Sequence, residues 1–131
     1  MTIFVDASAL IAIITGEDGA DRLADRLEEE RMRLCSPLSI WETVAGLCHS
    51  HTFSVPTARA HVQEFLETGG FRFVGIGERE LDLAADAYAQ FGKGRHPAAL
   101  NMGDCFAYAC AKANGATLLY KGEDFAKTDL A

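Results

Sequence analysis

The sequence predicts an α/β fold of three layers, in which helices cover both faces of a central parallel β-sheet. Short apolar segments that favour β-strands alternate along the chain with longer helical segments, which is the pattern of a parallel sheet. No long linker, internal repeat or low-complexity tract interrupts this alternation. At 131 residues the chain is long enough to bury a real core, so we expect one domain over residues 1–131.

Recognisable start and stop signals delimit the elements in the first half of the chain. Gly16 can close the first helix, and Asp18 can cap the second. Ser36 followed by Pro37 is typical of a helix cap and first helical residue. The predicted elements are a strand at 2–5, helices at 7–16 and 18–30, a strand at 32–35 and a helix at 36–49.

The second half continues the same alternation. Glycines again follow the helical segments, and the segment from residue 71 alternates apolar and polar side chains as a strand does. The last helix is apolar almost all the way round, yet it carries Asp104 in its first turn. The predicted elements are helices at 55–70, 78–92 and 101–114, strands at 71–76 and 117–120, a loop at 92–100, and a turn with a ragged end at 121–131.

Composition narrows the possible classes of function. Twelve basic and nineteen acidic residues give a net charge of −7, which argues against a protein that coats polyanions. Local contact with a nucleic acid would need a compensating charge, such as a divalent metal. The sequence contains no apolar run of membrane-spanning length, no signal peptide pattern and no paired cysteine motif, so we expect a cytoplasmic protein with four free thiols.

Two acids in the first half of the chain occupy positions that favour a binding site. Asp6 directly follows the first strand, where it can either cap the next helix or face a ligand, and the pattern favours both equally. Glu42 lies on the same helical face as Leu38 and Ala45, where an acid is costly unless it is paired or bound to a metal. The alternative for Glu42 is a capping box that begins at Ser39.

Two further acids lie in the second half. Asp104 falls near the third position of a helix that Asn101 can cap, where the helix end favours an acid by roughly 0.3–1 kcal/mol. Asp124 lies just beyond the last strand, where the alternative is an exposed turn, and Glu123 is its neighbour. If the four acids meet, their pooled charge requires cations, and Mg²⁺ or Mn²⁺ suits oxygen ligands best. Such a site can activate water for displacement at phosphorus.

The order and spacing of four motifs resemble those of PIN-domain ribonucleases, specifically VapC-type toxins of bacterial toxin–antitoxin pairs. The resemblance covers nearly the whole chain and therefore implies a PIN-like α/β/α fold. No single motif is specific, but together they form a consistent set. The motifs are F-V-D-A-S-A-L, S-P-L-S-I-W-E, N-M-G-D-C-F-A-Y-A-C-A-K-A-N-G-A-T-L-L-Y and K-G-E-D-F-A-K-T-D-L.

The resemblance implies an endoribonuclease that depends on Mg²⁺ or Mn²⁺ and hydrolyses RNA with activated water, leaving a 5′-phosphate and a 3′-hydroxyl. By position, its catalytic metal ligands would be Asp6, Glu42, Asp104 and Asp124. Ser8 would form a hydrogen bond that orients the ligands of this site. The chain ends at Ala131, where relatives often continue into a short edge strand, and we expect a looser edge there.

The resemblance also implies partners. They are an RNA substrate, a second copy of the chain in a homodimer, and a small VapB-like antitoxin that covers the active site. We expect the antitoxin to dock along the helices at 18–30 and 36–49, whose charges leave apolar residues exposed. For the RNA backbone, the first candidates are Lys93, Arg95 and His96, although a solvated loop accounts for them equally well.

Two alternatives remain open from the sequence. One is a non-catalytic module that keeps the PIN fold for protein or RNA contact, against which the retained acids argue. The other is a housekeeping RNA-processing nuclease.

Overall fold

A computed structural model describes all 131 residues and contains four strands and six helices. The predicted alternation of strands and helices is present throughout the chain. None of the helices combines the length and apolar character needed to cross a membrane. The elements are β1 (Thr2–Val5), α1 (Ala7–Thr15), α2 (Ala20–Glu28), β2 (Met32–Cys35), α3 (Pro37–His51), α4 (Val55–Thr68), β3 (Arg72–Phe73), α5 (Glu78–Phe91), α6 (Met102–Ala113) and β4 (Thr117–Leu119).

The four strands form one parallel sheet in the order β3-β2-β1-β4. Ile3 of β1 lies opposite Arg33 of β2 on one side and Thr117 of β4 on the other. All four strands therefore end at the same edge of the sheet, and Asp6 follows the central strand there. The predicted three-layer α/β fold is confirmed.

The two faces of the sheet pack against different helices because side chains alternate along each strand. Phe4, Leu34 and Leu118 point to one face, where they join a buried cluster built largely from α5 and α6. Ile3 and Val5 point to the other face, where they pack against α1 and α2. A third cluster joins the end of β2 to α3 and α4.

Two predicted boundaries were wrong. Asp18 does not cap the second helix: α2 begins after Gly19, whose φ of 87° places the backbone in the left-handed region, and no side chain caps it. The strand predicted at 71–76 is reduced to Arg72–Phe73, a two-residue edge strand that pairs only with β2. The alternation of apolar and polar residues gave too long a strand here, because most of the segment has no partner strand with which to form a ladder.

The tail at 121–131 is a series of turns, as predicted, but it is anchored rather than ragged. Phe125 is 1% exposed and packs against Tyr120 with ring centroids 5.2 Å apart. Asp129 accepts a hydrogen bond from Tyr108 Oη at 2.6 Å and pairs with Lys112, both on α6. These contacts hold the segment that carries Asp124 against the body of the domain.

Candidate active site

Asp6 lies where β1 turns directly into α1, and its side chain caps that helix. Its Oδ2 accepts hydrogen bonds from the Ser8 backbone N–H at 3.1 Å and from Ser8 Oγ at 2.6 Å. Asp6 is 6% exposed, and this burial raises the pKa of its carboxyl, while the Ser8 hydrogen bonds act in the opposite direction. Asp6 can cap the helix and also belong to a binding site, because both hydrogen bonds from Ser8 go to one carboxylate oxygen, Oδ2.

Asp104 is the acid in the first turn of the apolar helix α6. Asn101 Oδ1 accepts a hydrogen bond from the Asp104 N–H at 2.9 Å, and Asp104 Oδ2 accepts one from the Asn101 N–H at 3.1 Å. This reciprocal pair is a capping box. Burial nevertheless raises the pKa of Asp104 to about 7, and the charges of Asp124, Asp6 and Glu42 contribute to the rise. Asp104 therefore completes the cap of α6, while three other acids oppose its negative charge.

Glu42 lies half-buried on α3, in the second turn after the cap. Ser36 Oγ accepts a hydrogen bond from the Ser39 N–H at 3.1 Å, and Ser39 Oγ accepts one from the Ser36 N–H at 3.0 Å. Because Ser36 is the cap and Ser39 completes its capping box, a helix start at Ser39 is excluded. Burial, and then the charge of Asp6, raise the pKa of Glu42 to about 7, and no hydrogen bond to the protein opposes this rise.

Gly103 is the residue that brings Glu42 and Asp104 together. A Cβ atom at Gly103 would collide with the Glu42 carboxylate, so the side chain from α3 lies directly against the backbone of α6. Sequence analysis did not single out Gly103. The available signal was a glycine inside a helix. Such a glycine costs roughly 0.5–1 kcal/mol relative to alanine, and a close approach of another group to the backbone is one reason for its presence.

Asp124 completes the set from the segment after β4. Its side chain is exposed, and its charge acts on both Asp6 and Asp104. Asp6, Glu42 and Asp124 thus each act on Asp104, and Asp6 also acts on Glu42. The sequence left open whether the four acids meet, and their assignment to one site stays a prediction.

The four carboxylates form an open arrangement rather than a closed metal cage. No three of them are gathered into a group that would ligate a metal ion as it stands. Like charges repel one another, which favours such spacing. Their donor chemistry fits a hard divalent cation, because every group is a carboxylate oxygen and the charges that act on Asp104 are all acidic. Their assignment as metal ligands stays a prediction.

The basic loop at 92–100 is folded on itself and leaves the side chains of Lys93 and Arg95 exposed. Lys93 and Arg95 are exposed, and the Arg95 guanidinium lies 5.0 Å from the centre of the Tyr88 ring. The His96 side chain is held within the loop, because its Nδ1 accepts a hydrogen bond from the Ala98 N–H at 3.0 Å. Lys93 and Arg95 are therefore better placed than His96 for contact with an external anion.

Ser8→Ala is expected to lower the free energy of unfolding by about 1 kcal/mol, a typical net value for a lost hydrogen bond. The Ser8 hydroxyl donates to Asp6 and accepts from the Lys121 N–H at 3.0 Å, so its loss loosens the joint between β1 and the segment after β4. Urea unfolding of the variant measures the effect. Ser50→Ala, an exposed serine on α3, is the matched control. Equal losses in both variants would mean that the Ser8 contacts contribute nothing specific.

The fold and the acids together are typical of one class of protein: an α/β/α domain with an acidic site beyond the carboxyl end of its central strand. Comparison with known proteins identifies the family. The PIN domain family matches residues 3–130. The chain is 42% identical to a VapC ribonuclease of Rhizobium meliloti, with 97% of this chain and 98% of the relative covered. The chain thus belongs to the PIN-domain family, and within it to the VapC group.

Solved structures share the fold at low sequence identity. The crystal structure of VapC20 from Mycobacterium tuberculosis, a toxin that cleaves the sarcin–ricin loop, superposes with a TM-score of 0.71 at 20% identity and covers 95% of this chain and 92% of its own. A toxin–antitoxin complex from Klebsiella pneumoniae gives a TM-score of 0.68 at 17% identity, with 98% and 93% covered. At these identities the likeness concerns the fold, which agrees with the predicted PIN-like architecture.

Proposed function

We propose that this protein is the toxin endoribonuclease of a toxin–antitoxin pair, and that it hydrolyses RNA phosphodiester bonds. One observation carries the proposal: beside the end of β1, three acids from separate parts of the chain, Asp6, Glu42 and Asp124, each raise the pKa of Asp104. Such a concentration of charge is unfavourable for folding and is typical of a functional site. Membership of the VapC group, whose relatives are named ribonucleases, supports RNA as the substrate.

The residues that would hold a divalent cation are Asp6, Glu42, Asp104 and Asp124. We propose Mg²⁺ or Mn²⁺, because both prefer carboxylate oxygens. When bound, the cation would activate water and offset the charge of the scissile phosphate. The same cation would allow a chain of net charge −7 to approach a polyanion.

The protein's own groups orient the site and receive the substrate. Ser8 fixes one oxygen of Asp6, and Asn101 fixes one oxygen of Asp104, so each carboxylate keeps its second oxygen free of that contact. The amino-terminal end of α6 carries a partial positive charge that favours a phosphate. Lys93 and Arg95, exposed on the loop before α6, are the proposed contacts to the RNA backbone.

The proposed protein partners are a small VapB-like antitoxin and a second copy of the chain. The apolar surface of α3 meets α4 and the edge strand β3, rather than α2, in a groove of about 450 Å³. We therefore place the antitoxin along α3 and α4. A second apolar cavity of about 600 Å³ between α5 and the start of α6, with Tyr88 and Met102 exposed on its rim, is a candidate surface for the homodimer. The four free cysteines suit the reducing cytoplasm, where we place the activity.

Purified wild-type protein is expected to cut total bacterial RNA into discrete products with Mg²⁺ or Mn²⁺ and to stop when a chelator is added. Glu42→Gln is expected to lose this cleavage while remaining folded, because no hydrogen bond to the protein depends on its carboxylate. Gel electrophoresis of the products and circular dichroism of both proteins measure the two effects.

Glu64→Gln is the matched control, since Glu64 is exposed on α4. It should cleave as the wild type does. Equal cleavage by Glu42→Gln would mean that Glu42 is not required for the activity, whereas no cleavage by folded, antitoxin-free wild type would favour the non-catalytic binding module.

A further inference from the structure

The backbone of Lys121 is linked to the acidic site through the Ser8 hydroxyl group, but its side-chain ammonium group pairs with Glu17. Its backbone N–H donates to Ser8 Oγ at 3.0 Å, and Ser8 Oγ donates in turn to Asp6 Oδ2 at 2.6 Å. Its Nζ instead donates to Glu17 Oε1 at 2.7 Å. The Lys121 ammonium group is therefore paired with Glu17, which is not one of the four acids of the site.

Glu17 is held in place for this pairing by the end of α1. Gly16 adopts a left-handed conformation with a φ of 70° and ends the helix, after which the Glu17 N–H donates to the Ala12 carbonyl at 3.0 Å. The Glu17 carboxylate also lies 3.4 Å from Thr15 Oγ1 and 3.9 Å from His51 Nε2. One close donor, Lys121 Nζ, and two more distant polar groups thus lie around the Glu17 carboxylate, which is anchored where the chain leaves the helix.

We propose that Glu17 is a positioning residue that holds the Lys121 ammonium away from the acidic site and so keeps Asp6, Asp104 and Asp124 available to a divalent cation. This inference rests on the proposed metal-dependent function. A lysine carries a compact charge on a flexible four-carbon stem and readily pairs with carboxylates. Without Glu17, the pooled acids are the strongest nearby attraction for that charge.

The ion pair has little value as a stabilising contact, which is why a role in positioning accounts for it better. The Lys121 and Glu17 side chains are 37% and 34% exposed, and pairs exposed to this extent contribute little to folding because water screens them.

Binding of Mn²⁺, measured by isothermal titration calorimetry on the metal-free proteins, tests the proposal. We expect Glu17→Gln to weaken Mn²⁺ binding about fivefold, because the released lysine competes for the acids and an exposed ion pair can hold it back by about that factor at most. Lys121→Met and the double variant Glu17→Gln/Lys121→Met should bind Mn²⁺ within about twofold of the wild type. Glu17→Ala provides a second version of the test, since it has no side-chain oxygen that could still hold the lysine.

The double variant separates positioning from a merely structural role. If Glu17 only supports the fold, removing Lys121 as well will not restore Mn²⁺ binding, and the proposal is overturned. Binding by Glu17→Gln and Glu17→Ala equal to that of the wild type also overturns it. Absence of Mn²⁺ binding by the wild type would instead reject the proposed metal site, and this inference with it.

Discussion

Asp104→Asn is expected to lose metal-dependent RNA cleavage and, at pH 8 without metal, to be more stable than the wild type. Asparagine keeps an oxygen that can accept the hydrogen bond from the Asn101 N–H, so the cap of α6 survives. It removes a buried negative charge that Asp124, Asp6 and Glu42 oppose. Because even outer partners of a metal site are worth roughly 10- to 100-fold in activity, we expect the loss of a ligand to exceed that range.

The stability gain should depend on pH in a defined direction. The Asp104 pKa is about 7 in the folded protein, compared with about 3.9 for an unperturbed aspartate. Between these values the folded state binds more protons than the unfolded state, so the free energy of unfolding of the wild type should fall as pH rises from about 4 to about 7. Above about pH 8 the free energy of unfolding of the variant should exceed that of the wild type by a constant amount of up to about 4 kcal/mol, because the pKa rises by about three units and one unit corresponds to about 1.4 kcal/mol.

Urea unfolding of metal-free wild type and variant at pH 5 and pH 8 measures this effect, alongside RNA cleavage. Asp86→Asn, an exposed aspartate on α5, is the control and should change neither quantity. If Asp104→Asn is less stable than the wild type at pH 8, the carboxylate serves mainly as a helix cap. If it cleaves RNA normally, Asp104 is not a ligand.

Gly103→Ala is the second substitution with a large expected effect, and it should impair activity far more than folding. The added Cβ would collide with the Glu42 carboxylate, which is the far end of a flexible side chain and can move away. Alanine also favours a helix over glycine by roughly 1 kcal/mol, which offsets part of the cost. We therefore expect at least tenfold weaker RNA cleavage and a change in stability below about 1 kcal/mol.

Gly75→Ala is the matched control, because no atom lies close to a Cβ at that position and its backbone needs no left-handed conformation. Full activity of Gly103→Ala would show that the close approach of α3 to α6 is not needed for the chemistry.

Local sequence signals predicted most of the fold because they depend on neighbouring residues. Ser36 with Pro37, Gly16 and Asn101 mark helix ends in the structure as they do in the sequence. Signals failed where the outcome depended on distant parts of the chain. The strand predicted at 71–76 shortened because β2 pairs with only two of its residues. The tail at 121–131 is held by Phe125 and Asp129, whose partners lie elsewhere in the fold.

The sequence alone determined which acids could form a site, because acids at strand ends and on inward helix faces are costly without a role. It left open whether they meet and what else they do. Only the tertiary structure decided that Asp6 caps α1, that Asp104 completes a capping box with Asn101, and that Asp124 acts on both acids.

The requirement for Gly103 and the pairing of Lys121 with Glu17 were likewise invisible in the sequence. Glu42 and Gly103 are 61 positions apart in the chain, and Lys121 and Glu17 are 104 apart. Charge–charge and steric effects act over a few ångströms in space. They therefore become defined only when packing of the helices on the sheet brings distant residues into contact.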